Sequence, residues 1–512
     1  LPEGAKHPAG PGLGTGWDAR CILTGPGPKA NTATRGATRL APLWHKERSK
    51  PIPNHAPATT IRAPDVLAPD ELAPDARFTR GGAEVTFRAG AKAAMRTQGG
   101  VRPKGRAMSE DEGQSRAYPV VRLKPKAEAR AIRHGFPWVY ADELVTDRRT
   151  QGLEPGALAV LEDGERRPLG LVTVNVKSKI IARMLDRDPD AVLDQAWFEA
   201  RLSRALAHRA RLYADPFYRL VHAEADGLPG VVIDRFGEVA VVQPNAAWAE
   251  GHLSDLVQAL VALTGVATVI KNGSGRSRGL EGLTEEMAVI HGPGPAGPIP
   301  VPMNGATYMA DLLGGQKTGL FFDQRENHRF AVRLGTGATV LDVFSHVGGF
   351  ALAALAGGAV RALAVDASAT ALTLAGQGAL ASGFADRFET RQGDAFEVLE
   401  ALGAEGARFD LVICDPPAFA PAKPALEAGL RAYERIARLA APLVAPGGYL
   451  ILCSCSHAAD LHAFRNASAR GIGRGGRRGQ IIHTGFAGPD HPVLPQLAES
   501  SYLKALAFRL DG

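Results

Sequence analysis

Leu341-Asp342-Val343-Phe344-Ser345-His346-Val347-Gly348-Gly349-Phe350 is the stretch that decides the fold. An apolar strand beginning at Ala338 runs into a glycine pair and then into helix-forming Gly349 to Leu355. The same rhythm continues downstream. Ala362 to Asp366, Phe409 to Cys414 and Gly448 to Cys453 read as strands. Ala369 to Leu380 and Leu426 to Leu439 read as helices, the second stopped by Pro442. Alternation of this kind predicts an α/β fold, a parallel sheet with helices on both faces. Ligands of such sheets sit at the carboxyl ends of the strands.

The informative side chains fall at those ends. Gly348 and Gly349 let a ligand approach the backbone, and the helix start offers unpaired N–H groups. Asp366 ends the second strand, where a carboxylate can accept both hydroxyls of a ribose. Asp394 ends the third unit, within reach of an adenine amino group. Taken singly, either acid reads equally well as a helix N-cap. The turn after this first strand has neither the G-x-G-x-x-G pattern of dinucleotide sites nor the G-x-x-x-x-G-K-[ST] pattern of phosphate loops. S-adenosyl-L-methionine is the adenosyl cofactor that fits best, and no metal is expected.

Ile413-Cys414-Asp415-Pro416-Pro417-Ala418-Phe419 spans the end of the strand from Phe409 and the loop after it. Pro416 and Pro417 fix the backbone and remove two donors, so carbonyls and the Asp415 side chain can face the edge of an inserted base. Phe419 either stacks on that base or packs in the core. The next strand ends in Leu452-Cys453-Ser454-Cys455-Ser456-His457. Carbon 5 of a pyrimidine is a poor nucleophile until a thiolate adds to carbon 6, and cysteine is the side chain suited to that attack. Cys414 reads as buried packing. Cys453 and Cys455 share a strand face if the strand continues, and Cys455, further along, is the favoured nucleophile. His457 reads as a surface loop residue.

The remainder bounds the problem. A chain of 512 residues, 45% hydrophobic, has room for several domains. A net charge of +6 is a mild sign of a phosphate-rich partner. No apolar run reaches membrane length, no secretion signal is evident, and four cysteines make no disulfide framework. The expected compartment is the cytoplasm. Residues 1–107, rich in Pro, Gly, Ala and Arg, read as a disordered or mis-called extension, since Met108-Ser109-Glu110 resembles a natural start. Short strands between Pro119 and Asn175 predict a small β-barrel over 118–188. An α/β segment follows over 190–300, and the Pro/Gly stretch Gly292 to Pro298 marks a linker before 301–512. In the helix Asp194 to Tyr213, Phe198, Leu202, Ala205, Leu206 and Leu212 form the apolar side. Arg201, Arg204, His208 and Arg211 lie elsewhere, as a solvated or phosphate-facing stripe.

From Val120 to Leu510 the chain resembles the bacterial class I 23S ribosomal RNA (cytosine-C5) methyltransferases, the large subunit methyltransferase I family. The resemblance rests on Arg133-His134-Gly135-Phe136-Pro137-Trp138-Val139-Tyr140, on Glu224 to Gly230 with Asp234-Arg235, and on Gln316-Lys317-Thr318-Gly319-Leu320-Phe321-Phe322-Asp323-Gln324-Arg325-Glu326-Asn327. Gly349-Phe350, the Asp-Pro-Pro-Ala-Phe run and Ser454-Cys455-Ser456 complete it. It implies a PUA-like RNA-binding barrel, a central α/β domain and a Rossmann-like class I methyltransferase domain. It implies 23S ribosomal RNA as the partner, with a homodimer left open. Cys455 would be the nucleophile, with Asp415 beside it. Asp342, Phe344, Ser345, Gly348, Gly349, Asp366, Asp394 and Asp415 would line the cofactor site, with Gln316, Lys317, Thr318 and Arg325 close by. His346 stands where many relatives carry glycine. The segment Arg470 to Gly479 reads as a phosphate-contacting loop or a mobile one. Methylation of a base nitrogen, or RNA binding without catalysis, are the alternative functions.

Overall fold

A computed structural model describes residues 118–315, 319–497 and 501–511. The expectations for residues 1–107 and for Gln316, Lys317 and Thr318 lie outside the described residues.

The first sheet has five strands, Val120–Arg122, Trp138–Tyr140, Ala157–Glu162, Pro168–Val174 and Ile180–Asp186. Val121, Leu161, Val172 and Ile181 fill its core. The second sheet joins Phe217–His222, Val231–Phe236, Val239–Pro244, Thr268–Asn272 and Met287–His291, each beside its neighbour in sequence. Only the third and fourth of these run parallel, because the helix Leu253–Thr264 carries the chain across.

The two sheets are tied by the motif residues. Trp138 Nε1 donates to Glu224 Oε1 at 2.8 Å, and Arg183 donates to Glu224 at 3.0 Å and to Glu281 at 3.2 Å. The helix Gln195–Leu212 departs from the expected solvated stripe. Arg201 is buried and paired with Asp186 at 2.7 Å. Arg209, fully buried, makes a two-pronged bond to Asp226 at 2.6 and 2.7 Å. It also donates to the carbonyls of Arg219 and Asp490. Arg204, His208 and Arg211 are exposed as expected.

A hairpin, Ile299–Met303 with Ala306–Ala310, leads into the third sheet. Its strands are β1 (Thr339–Val343), β2 (Arg361–Asp366), β3 (Phe388–Gln392), β4 (Phe409–Cys414), β5 (Val444–Ser454), β6 (Gly479–Gly485) and β7 (Lys504–Leu510). Their spatial order is β3-β2-β1-β4-β5-β7-β6. All are parallel except β7, which lies antiparallel between β5 and β6. The helices are α1 (Arg325–Gly335), α2 (Gly349–Ala356), α3 (Ala369–Ala381), α4 (Ala395–Ala404), α5 (Leu426–Ala440) and α6 (Leu461–Arg474).

Alternation in β1 shows why both faces must be covered. Val340 buries with Phe350 and Leu352 on one side, while Leu341 and Val343 bury with Val412 and Leu450 on the other. Ser368, Asp394 and Asp460 cap α3, α4 and α6. The arginine- and glycine-rich segment is the end of α6 and a turn. Arg470 and Arg474 pair with Glu434, and Arg477 donates to the Asp511 carbonyl. Among the described residues no helix is long and apolar enough to cross a membrane.

Candidate active site

The turn after β1 is built from strained backbone. Phe344, His346 and Gly348 take φ of 64°, 51° and 82°. His346 therefore adopts the left-handed conformation that glycine holds most readily. Its N–H donates to Asp366 Oδ2 at 2.9 Å, which anchors the turn to the end of β2. The Ser345 carbonyl accepts from the N–H groups of Gly348 and Gly349, and Ser345 N–H donates to Val365. Gly349 is required for a second reason. A Cβ there would stand 2.8 Å from His328 Nε2, in a ring that burial pushes down to about 3.

Asp342 is buried beneath this turn. Its Oδ2 accepts from Ala351 N–H at 2.9 Å, and its Oδ1 has no protein partner. Burial pushes the carboxyl up to about 7. Ser345 Oγ is buried and unpartnered too. Asp366 accepts from Ser368 N–H through its other oxygen, at 2.8 Å. Asp394 is exposed at the end of β3, and its Oδ1 accepts from Phe396 and Glu397 N–H at 2.9 and 3.2 Å. Asp394 thus caps the helix that follows it. These acids, with two unsatisfied buried oxygens, suit a polar ligand seated across β1, β2 and β3.

β4 and β5 are neighbours, with Cys414 opposite Leu452. Asp415 N–H donates to Val343 O at 3.2 Å. Pro416 is buried and Pro417 exposed. Phe419 is half-buried, its ring 5.1 Å from Tyr433, 6.4 Å from Phe396 and 6.5 Å from Phe344. Cys414 and Cys453 lie in opposite cores, each thiol pushed up by burial. β5 ends at Ser454, so Cys455 follows the strand, partly exposed. Ser454 and Ser456, both buried, flank it. Each bonds to the Tyr433 hydroxyl, and Ser456 Oγ also accepts from Ala420 N–H. His457 is exposed, its ring 5.4 Å from that of Tyr502.

Arg325 is buried, donates to the Phe217 carbonyl at 2.7 Å and stacks on Tyr213 at 3.9 Å, joining α1 to the second sheet. Sequence reasoning missed Tyr433, Lys504 and the Tyr502–Asp323 bond of 2.6 Å. Tyr433 had one signal, a hydroxyl among the mostly apolar buried residues of α5.

Comparison with known proteins fits this geometry. The family profile for S-adenosylmethionine-dependent methyltransferases matches residues 294–509, and that for a PUA-like domain matches residues 121–187. A ribosomal RNA large subunit methyltransferase of Deinococcus radiodurans is 36% identical over 407 residues, covering 77% of this chain and 98% of the relative. The chain belongs to the large subunit methyltransferase I family. A second member, ribosomal RNA large subunit methyltransferase I of Shewanella denitrificans, is 33% identical, covering 76% of this chain and 99% of its own. Among solved structures, a candidate SAM-dependent methyltransferase from Streptococcus mutans aligns with a TM-score of 0.64 at 18% identity, over 76% of this chain and 100% of that one. Another methyltransferase, complexed with SAH, gives a TM-score of 0.65 at 19% identity, over 76% and 100%. At such identities these structures speak to the fold. As in the rest of the family, the cofactor is S-adenosylmethionine.

Proposed function

We propose that this protein methylates carbon 5 of a cytosine in 23S ribosomal RNA, with Cys455 as the covalent nucleophile. The names of its relatives support the ribosomal substrate. One observation carries the covalent reading. Of Cys414, Cys453 and Cys455, only the last is partly exposed, and it leaves the sheet at the same end as Asp415. We assign RNA binding to residues 118–188, a linking role to 190–300 and chemistry to 301–512, with the cytoplasm as the matching compartment.

Asp366 would hold the ribose hydroxyls of the cofactor and Asp394 its adenine amino group, while the turn from Phe344 to Gly349 would line the adenosyl moiety. S-adenosylmethionine supplies an electrophilic methyl group on a cationic sulfur. The Cys455 thiolate adds to carbon 6 of the base, and the electron pair of the ring double bond makes carbon 5 nucleophilic. Carbon 5 would take the methyl group as the bond from that group to the cationic sulfur breaks, the electron pair staying on sulfur and S-adenosylhomocysteine leaving. Its proton then passes to a base, the double bond re-forms, and the thiolate is expelled. Asp415, Pro416 and Pro417 hold the base edge, and Phe419 supports that loop through Tyr433.

The test is methyl transfer by Cys455→Ala, with nucleoside mass spectrometry of the RNA. Wild-type protein is expected to yield 5-methylcytidine and the variant none. Full transfer by the variant would reject the covalent route in favour of a base nitrogen.

A further inference from the structure

Lys504 is a buried charge that the reaction above leaves unused. Only 4% exposed, it opens β7 directly opposite Ser454, the residue before Cys455. Its Nζ donates to the carbonyls of Ser456 and Tyr502, each at 2.7 Å. Two carbonyls satisfy donors without neutralising charge. Among the described residues no carboxylate forms an ion pair with Lys504. A cation buried this way is unfavourable unless an anion lies near.

The groups around it narrow the choice of anion. Burial pulls Lys504 down to about 8, and Cys455 and Asp460 act against that pull. Asp460 is exposed and occupied as the N-cap of α6. Tyr433 and Tyr502 are held protonated, chiefly by burial. Asp415 acts on Cys414 and Cys453 and not on Lys504, while Arg219 and Asp323 act on Tyr502. His457 is exposed. Cys455 is the group within this set whose charge would complete the site.

We propose that Lys504 is the counter-ion that holds Cys455 as a thiolate, with the carbonyls of Ser456 and Tyr502 fixing its ammonium beside the sulfur. The inference rests on Cys455 being the nucleophile. The thiol proton goes to solvent, and the ammonium keeps its own protons while the sulfur attacks and leaves. Lys504 is thus a positioning residue, acting on the base only through the sulfur.

The test is the pH dependence of iodoacetamide alkylation at Cys455 in the full chain, read by peptide mass spectrometry without RNA or cofactor. Wild-type protein should show a midpoint below the ordinary thiol value of about 8.5. Lys504→Gln keeps an amide donor without the charge, and Lys504→Met removes both. Each should raise the midpoint by about one unit, roughly a tenfold slower reaction at pH 7. Lys504→Arg should keep the wild-type midpoint. A wild-type midpoint at or above the ordinary value overturns the proposal without any variant, as does an unmoved midpoint in Lys504→Gln. The underlying reading fails separately: a shifted midpoint alongside full methyl transfer by Cys455→Ala would keep the ion pair and reject the nucleophile.

Discussion

The hydroxyl of Tyr433 lies 2.7 Å from Ser456 Oγ, and Ser454 Oγ donates to the same hydroxyl at 2.9 Å. One phenol on α5 therefore grips both neighbours of Cys455. Tyr433→Phe leaves two buried serine hydroxyls short of a partner, which should cost about 1–3 kcal/mol of stability. Urea denaturation would measure it. Methyl transfer should fall while cofactor affinity, followed by calorimetry, changes little, because β1 and β2 are untouched.

Gly349→Ala attacks the other half of the site. The new Cβ would stand 2.8 and 2.9 Å from Nε2 and Cε1 of His328. That ring cannot retreat, being edge-on to Phe350 at 4.5 Å and stacked near Tyr308. Overpacking of this kind costs about 1–3 kcal/mol. Calorimetry should show weakened S-adenosylmethionine binding, since the shift falls on the turn from Phe344 to Gly349.

Asp342 gives a pH signature. Its carboxyl stands near 7 when folded, against about 3.9 in an unfolded chain. Between those values the folded protein holds a proton that the unfolded chain has lost. The contribution is complete below about pH 4 and disappears as pH rises through about 7. The urea midpoint of wild-type protein, taken relative to Asp342→Asn, should fall across that window. A constant difference would mean the carboxyl is ionised throughout.

Arg209→Met tests the joint between the second sheet and the loop carrying Asp490. It strips Asp226 of its buried partner and leaves the carbonyls of Arg219 and Asp490 unpaired. Removing one partner of a buried pair costs about 3–5 kcal/mol. Thermal unfolding should register the loss.

The α/β alternation from Ala338 to Cys453 was legible where strands are apolar runs, whereas β3, with Phe388 as its one apolar residue, and α4 after it were not read. Asp366 and Asp394 were singled out by the rule that puts the carboxyl ends of parallel strands at the ligand edge. His346 was marked as a departure from glycine, and its φ of 51° gives the reason. Other features depend on partners remote in sequence. Arg201 and Arg209 share helical spacing with solvated arginines, and only Asp186 and Asp226 decide that they are buried. The contacts of Arg325 with the Phe217 carbonyl and the Tyr213 ring likewise appear only in the fold. Lys504 could not be recognised until β7 paired with β5.

The covalent role of Cys455 is tested most directly by trapping. Ribosomal RNA carrying 5-fluorocytidine has no carbon-5 proton to lose, so the adduct cannot resolve after methylation. Incubated with the protein and S-adenosylmethionine, it should become linked to the peptide containing Cys455, as mass spectrometry would show, and Cys455→Ala should form no link. Methylated RNA released from wild-type protein without any link to residue 455 would contradict the account.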